Sequence, residues 1–250
     1  MILLQILGGV LGLVFFYVLF LTICALAVDP RREYENHSAF YRFLLDTATA
    51  AAMKLLRIRI HVTGREKLPE EGKLLFISNH CSNFDPLVTW YVFRKWRIAF
   101  ISKKENFRIP IFGRFIRKCC FMAIDRENPR NALVTINKAA DLLRREEVSV
   151  GIYPEGTRSK TGEMLPFRNG AFKIAQKAGA GMVVLGLVGT RQIHKNTPFR
   201  RTDVYVDVLR VYAPEELKDL KTETIGAEVR RLILENTEKR TQDGNRIHTI

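Results

Sequence analysis

The chain has 250 residues, 47% of them hydrophobic and 26% charged, with 40 Lys and Arg against 26 Asp and Glu for a net charge of +14. That size and balance describe one sizeable folded domain, with or without an appendage, and exclude an intrinsically disordered chain. The positive excess implies an anionic partner: nucleic acid, a phosphorylated substrate or a membrane surface.

Met1 to Val28 carries no charged side chain. About 20 apolar residues cross a bilayer core, so the segment is long enough to span one. A secretory signal competes with this reading, since Ala25-Leu26-Ala27 resembles a cleavage site. The start has no Lys or Arg, however, and the apolar stretch exceeds the roughly 7–15 residues of a signal core. We therefore expect a retained membrane anchor. Arg31, Arg32, Arg42, Lys54, Arg57 and Arg59 follow it, which places the remainder on the cytoplasmic face of the cell inner membrane. Asn36-His37-Ser38 fits the glycosylation pattern but goes unmodified on that side. Over residues 39–60, Phe40, Phe43, Leu44, Thr47, Ala51, Leu55 and Ile58 recur at helical spacing, with Arg42, Asp46, Lys54 and Arg57 off the stripe. This is either a helix packed on a domain core or one lying in the membrane interface with its basic residues at the headgroups, and the adjacent anchor favours the second.

Beyond Gly64, short apolar runs alternate with longer mixed segments. Strands are predicted at Leu74–Ser78, Arg97–Ser102, Ser149–Tyr153, Met182–Val188 and Val204–Val211. Helices are predicted at Pro86–Lys95, Ile111–Lys118, Pro129–Arg145, Arg168–Ala178 and Thr222–Arg240, with a frayed tail over Gln242–Ile250. Strands separated by helices mean an α/β domain with a largely parallel or mixed sheet flanked by helices.

Three clusters carry candidate chemistry. His80 and Asp85 stand five apart in Ser78-Asn79-His80-Cys81-Ser82-Asn83-Phe84-Asp85-Pro86, just after an apolar run. An Asp that accepts from one imidazole nitrogen leaves the other free to take a proton. Asp85 before Pro86 is equally a helix start, with Asp as N-cap, and one Asp can serve both. No nucleophile lies beside the pair, so the attacking hydroxyl has to belong to a substrate. Next, Tyr153-Pro154-Glu155-Gly156-Thr157-Arg158-Ser159 follows a strand directly, where ligands bind in open α/β sheets. Gly156 permits a tight turn, Arg158 offers a planar fork for phosphate, and Glu155 is an acceptor for the Arg or a substrate hydroxyl. Finally, Lys103 and Lys104 end a strand and Arg126 follows Phe121-Met122-Ala123-Ile124, so all three can converge on the same edge.

Other chemistries are missing from the sequence. There is no Gly-x-Ser-x-Gly elbow and no Walker loop. His, Cys and carboxylates show no metal-ligand spacing, and nothing calls for a bound cofactor. Cys24, Cys81, Cys119 and Cys120 form no disulfide framework, and buried free thiols in a reducing compartment account for them.

Taken in order, these segments resemble the glycerolipid acyltransferase family, specifically 1-acyl-sn-glycerol-3-phosphate acyltransferases. The resemblance runs from about Leu74 to Thr190. It rests on Asn79-His80 with Asp85, on Lys104 through Ile109-Pro110, Phe112-Gly113 and Arg126, and on Tyr153 to Ser159. It departs at Met182-Val183-Val184-Leu185-Gly186, where the family usually has a proline and this chain has Val184. That block is associated with the apolar side of the site, so the departure bears on acyl-chain preference.

The resemblance implies that His80, oriented by Asp85, takes the proton of the sn-2 hydroxyl of 1-acyl-sn-glycerol-3-phosphate (lysophosphatidic acid). The donor is acyl-CoA or acyl-carrier protein, and the product is phosphatidic acid. Lys104, Arg126 and Arg158 would hold the phosphate, Glu155 would support Arg158 or the glycerol, Gly156 and Thr157 would join them in binding substrate, and backbone amides near Gly156 would face the oxyanion. Residues 1–60 would be anchor and interfacial helix, and 61–250 the catalytic domain. Two alternatives stay open: another lysolipid acceptor, such as a lyso-ornithine lipid, or a non-catalytic basic module tethered to the membrane. The poor aromatic interleaving of the basic runs speaks against nucleic acid as the partner.

Overall fold

The computed structural model of the chain describes residues 1–159, 161 and 163–247. Helix α1 (Ile2–Leu26) extends about 37 Å at 1.5 Å per residue, and most of its described side chains are exposed. Its carboxyl end is held by the rest of the protein. Ala25 and Val28 are buried, Arg114 donates to the carbonyls of Ala25 (3.0 Å) and Val28 (3.1 Å), and the Tyr41 hydroxyl donates to Cys24 (2.8 Å). A guanidinium at these orphan carbonyls satisfies them and complements the helix dipole.

Helix α2 (Ala39–Leu55) is shorter than the element expected over 39–60. The chain turns at Arg57 (φ 54°) and enters strand β1 (Ile58–Thr63). There the alternation of Ile58, Ile60 and Val62 has a period of two, and tertiary pairing decides for the strand. The expected division between residues 60 and 61 therefore runs through β1. Helix α2 buries Tyr41, Leu44, Leu45 and Met53 in the core and leaves Phe40, Phe43, Thr47, Ala51 and Leu55 exposed. Arg42, expected at the headgroups, is instead buried, with its guanidinium 4.5 Å above the Trp90 ring and a bond to the carbonyl of Ile98.

Alternating elements then complete the domain: β2 (Leu75–Ser78), α3 (Asp85–Val92), β3 (Ile98–Lys103), α4 (Phe112–Lys118), β4 (Met122–Ile124), α5 (Pro129–Arg144), β5 (Ser149–Ile152) and α6 (Lys173–Ala178). After them come β6 (Met182–Val188), α7 (Ile193–Asn196), β7 (Thr202–Tyr212), α8 (Pro214–Lys218) and α9 (Thr222–Ile247). The short strands β1 and β4 were not expected. The tail expected to fray from Gln242 continues α9 to Ile247, and 248–250 lie outside the described residues.

The strands form one sheet among the described residues, in the order β1-β7-β6-β2-β5-β3-β4. Only the β6–β7 pairing is antiparallel. Side-chain alternation feeds two cores. Phe76, Phe100, Val183 and Leu185 pack with α2, α3 and α4 on one face. Leu75, Ile77, Val150 and Val184 pack with α5, α6 and α9 on the other. Because β2, β3, β4 and β5 are parallel, the chain following each of them emerges at one edge of the sheet.

Candidate active site

His80 leaves β2 at that edge, and its Nδ1 donates to Oδ2 of Asp85 at 2.8 Å. Asp85 is completely buried, and three further donors reach it: the amides of Cys81 and Ser82 at 2.7 Å and the Thr190 hydroxyl at 2.5 Å. Asp85 opens α3, but its carboxylate does not cap the helix. It turns back to the amides of the preceding loop, so the N-cap role proposed for it is not filled. With Nδ1 committed, Nε2 is the ring nitrogen left to exchange a proton.

The loop after β5 clamps the same backbone. Glu155 accepts from the amide of His80 through Oε1 (2.7 Å) and from the amide of Leu165 through Oε2 (2.9 Å), while the Ser159 amide donates to the carbonyl of His80 (3.0 Å). Glu155 is buried, and burial pushes its pKa up against the lowering effect of these bonds. Its oxygens thus serve the backbone amides of His80 and Leu165 rather than Arg158 or a glycerol hydroxyl. Gly156 has φ +71° and donates to the carbonyl of Tyr153 (3.0 Å), so its own N–H is spent in the turn.

The His80 imidazole lies flat on Tyr153 (4.3 Å between centroids, 17° between planes), and Tyr153 stacks in turn on Phe100 (5.9 Å, 3°). Room for this stack comes from Gly151. A Cβ built there would lie 2.4 Å from Cε1 of Phe100, so no side chain fits without moving the ring. Neither Gly151 nor Phe100 was singled out from the sequence. A lone glycine within an apolar strand was the available signal.

His80 lines a cavity of about 720 Å³. Lys103, Arg126, Arg158 and Arg168 contribute to its wall, together with Gly156 and Thr157. Its apolar lining includes Leu45, Leu87, Trp90, Phe112, Ile116 and Phe121. Burial, and after it the charges of Arg168 and Arg158, pull the Arg126 pKa down, and the buried Nε of Arg126 has no hydrogen-bond partner. Arg168 donates to the carbonyl of Arg126 (3.0 Å) and passes across Gly156, where a Cβ would meet its Nε at 2.9 Å.

Two expectations fail on geometry. Lys104 is absent from the cavity wall, because its ammonium binds Asp125 at 3.0 Å, and Lys103 takes its place. Val184 is fully buried between β2 and β7 and forms no part of the cavity wall. Arg168 and Thr190 also went unassigned in the sequence. Among the described residues, no group of three or more His, Cys, Asp or Glu side chains is placed to hold a metal ion.

Residues 59–188 match the family model for acyltransferases, 130 of the 250 residues. The chain belongs to that family. The matched segment begins in β1, ends with β6, and contains every cavity cation named above. Among curated relatives, the chain is 32% identical over 198 residues to a 1-acyl-sn-glycerol-3-phosphate acyltransferase of Chlamydomonas reinhardtii, covering 78% of this chain and 57% of the relative. It is 29% identical to the enzyme of that name from Borreliella burgdorferi, covering 74% of each chain. The chain thus spans just over half the length of the algal relative. The fold resembles the crystal structure of PlsC, the 1-acyl-sn-glycerophosphate acyltransferase of Thermotoga maritima. The TM-score is 0.69 at 22% identity, covering 90% of this chain and 89% of that one.

Proposed function

We propose that this acyltransferase moves an acyl group from the thioester of acyl-CoA or acyl-carrier protein to the sn-2 hydroxyl of 1-acyl-sn-glycerol-3-phosphate, forming phosphatidic acid for phospholipid biosynthesis at a membrane surface. The supporting observation is the lining of one cavity: an Asp-oriented imidazole shares it with three guanidiniums and many apolar side chains. Nε2 of His80 takes the hydroxyl proton as the oxygen bonds to the thioester carbon. The tetrahedral oxyanion then collapses, the C–S bond breaks, and the proton passes to the departing sulfur. General-base assistance of this kind contributes about 10²–10⁴ in rate. Since the Gly156 amide is occupied, the amides of Thr157 and Arg158 are the donors left near the oxyanion.

Arg126, Arg158 and Arg168 receive the acceptor's phosphate, a dianionic group that suits several planar forks at once. The cavity's apolar side chains take hydrocarbon. Helix α1 and the exposed stripe of α2 hold the site at the membrane, with the catalytic domain on the cytoplasmic face of the cell inner membrane.

The test offers purified protein a panel of lysolipids and acyl thioesters and follows thiol release. Lysophosphatidic acid should support turnover, and His80→Ala should lower it about 10²–10⁴-fold while the protein still folds and partitions into membranes. Near-normal turnover by that variant refutes the assignment of His80. Equal or better turnover with lyso-ornithine lipid refutes the assignment of the acceptor.

A further inference from the structure

We propose that the connection over residues 194–201, the end of α7 and the loop after it, is a separate point of entry into the lipid surface, with the Phe199 ring in the acyl boundary and Lys195, Arg200 and Arg201 against anionic headgroups. The inference rests on the reading that the active-site edge faces a membrane. Strand β6 runs parallel to β2 and ends at Val188, at the edge where β2 delivers His80. Strand β7 returns antiparallel from Thr202, so the chain between them lies along that same edge. Strand β1 is parallel to β7 with Ile58 opposite Thr202, which brings the carboxyl end of α2 there as well.

The loop is joined directly to that helix end. Arg57 donates from Nη1 to the carbonyl of Phe199 (2.8 Å), and the Thr202 amide donates to the carbonyl of Arg57 (3.2 Å). Phe199 is 84% exposed, the most exposed large apolar side chain beyond α1 among the described residues. A single exposed ring would mean nothing on its own. This one continues the uncovered stripe of Phe40, Phe43 and Leu55, which ends two residues before Arg57.

The ring is also held out by a structured turn. Thr197 bonds the carbonyl of Ile193 through both its amide (2.9 Å) and its hydroxyl (2.7 Å). The Arg200 amide reaches the carbonyl of Asn196 (2.7 Å), and the Asn196 side chain reaches the Thr202 hydroxyl (3.0 Å). Ile193 is fully buried beneath them. Presenting the ring therefore costs little further ordering when it inserts. Lys195, Arg200 and Arg201 are exposed, and no Asp or Glu occurs from Gly189 to Thr202. The next acid, Asp203, is bonded to His61 at 2.7 Å. An aromatic tip ringed by unopposed cations is the pattern of an interfacial contact with anionic lipid.

The experiment uses the full chain in phosphatidylglycerol or phosphatidylcholine vesicles containing lipids brominated on the acyl chain. Tryptophan is placed in turn at the loop (F199W), on α2 (F43W) and at the opposite edge of the sheet after α8 (L220W), with the wild-type emission of Trp90 and Trp96 subtracted. F199W should shift to the blue and lose emission to the bromines as F43W does, while L220W should not. Adding R200E/R201E to F199W should reduce the quenching in phosphatidylglycerol vesicles and leave it unchanged in phosphatidylcholine. Quenching of F43W without quenching of F199W overturns the loop contact and leaves the membrane contact of α2 standing. Absence of quenching in both overturns the membrane-facing reading and the loop with it. Quenching of F199W that R200E/R201E does not reduce in anionic vesicles overturns the role given to the cations.

Discussion

Gly151 is the one position of β5 where a side chain would strike the aromatic stack beneath His80, through Phe100 and then Tyr153. Gly151→Val should displace Phe100 and tilt the imidazole, at a stability cost of about 1–3 kcal/mol from overpacking. Its turnover should fall further than its melting temperature implies, and equal losses in a Gly151→Val and a remote core variant of matched stability would contradict this. Arg168 is argued differently, since it reaches the cavity from a loop and is already bonded to the Arg126 backbone. A charge-assisted hydrogen bond to phosphate is worth about 1.5–3 kcal/mol, so Arg168→Ala should raise the KM for a phosphorylated acceptor roughly 10–100-fold. The kcat should change little, and steady-state kinetics with an acceptor series separates the two.

Helix α9 is fastened to β7 by the pair of Arg210 with Glu228 and by a second, buried carboxylate. Asp207 is buried and receives Arg240 (2.5 and 2.8 Å), Asn236 (2.9 Å) and Thr63 (2.5 Å), which ties α9, β7 and β1 together. Burial alone would raise its pKa, but bonds from Arg240, Thr63 and Asn236 outweigh it and hold the value below the usual range. A carboxylate lowered in the folded state contributes stability that is present above its unfolded value, about 3.9, and is lost as the pH falls through the folded value. Asp207→Asn removes the charge on which bonds from Arg240, Asn236 and Thr63 converge and should cost about 1.5–3 kcal/mol at pH 7. Denaturant midpoints between pH 7 and pH 3 should decline less steeply in the variant than in the wild type. Parallel declines would assign the acid limb to other groups.

Helix α2 joins the element scale to the whole molecule, because its two faces meet different surroundings. One face packs Tyr41, Leu44, Leu45 and Met53 into the domain and holds Arg42 over Trp90. The other leaves Phe40, Phe43 and Leu55 uncovered, and of these Leu55 lies at the active-site edge. Phe43 is 62% exposed, so Phe43→Asp should leave folding within about 0.5 kcal/mol of the wild type. On vesicles it should lower activity by about tenfold, the worth of one side chain's transfer from water, with little change on detergent-dispersed substrate. Equal activity of the two proteins on vesicles would mean the stripe never meets lipid.

What could be read from the sequence was whatever depends on near neighbours. The apolar length of α1, the alternation of strands and helices, the five-residue spacing of His80 and Asp85 and the turn at Gly156 all follow from local periodicity and sterics. Tertiary structure decided matters that hinge on partners far along the chain. Thr190 reaches Asp85 across 105 residues and Glu155 reaches His80 across 75, and no local pattern encodes either contact. Lys103 and Lys104 are equivalent as text, yet Lys103 closes β3 while Lys104 begins the next turn and meets Asp125. Arg42 looked like a headgroup contact because a helical stripe shows which face is apolar, not which of two neighbours will cover it. Packing settled that choice, since a guanidinium over an indole can be buried at a position that periodicity assigns to solvent.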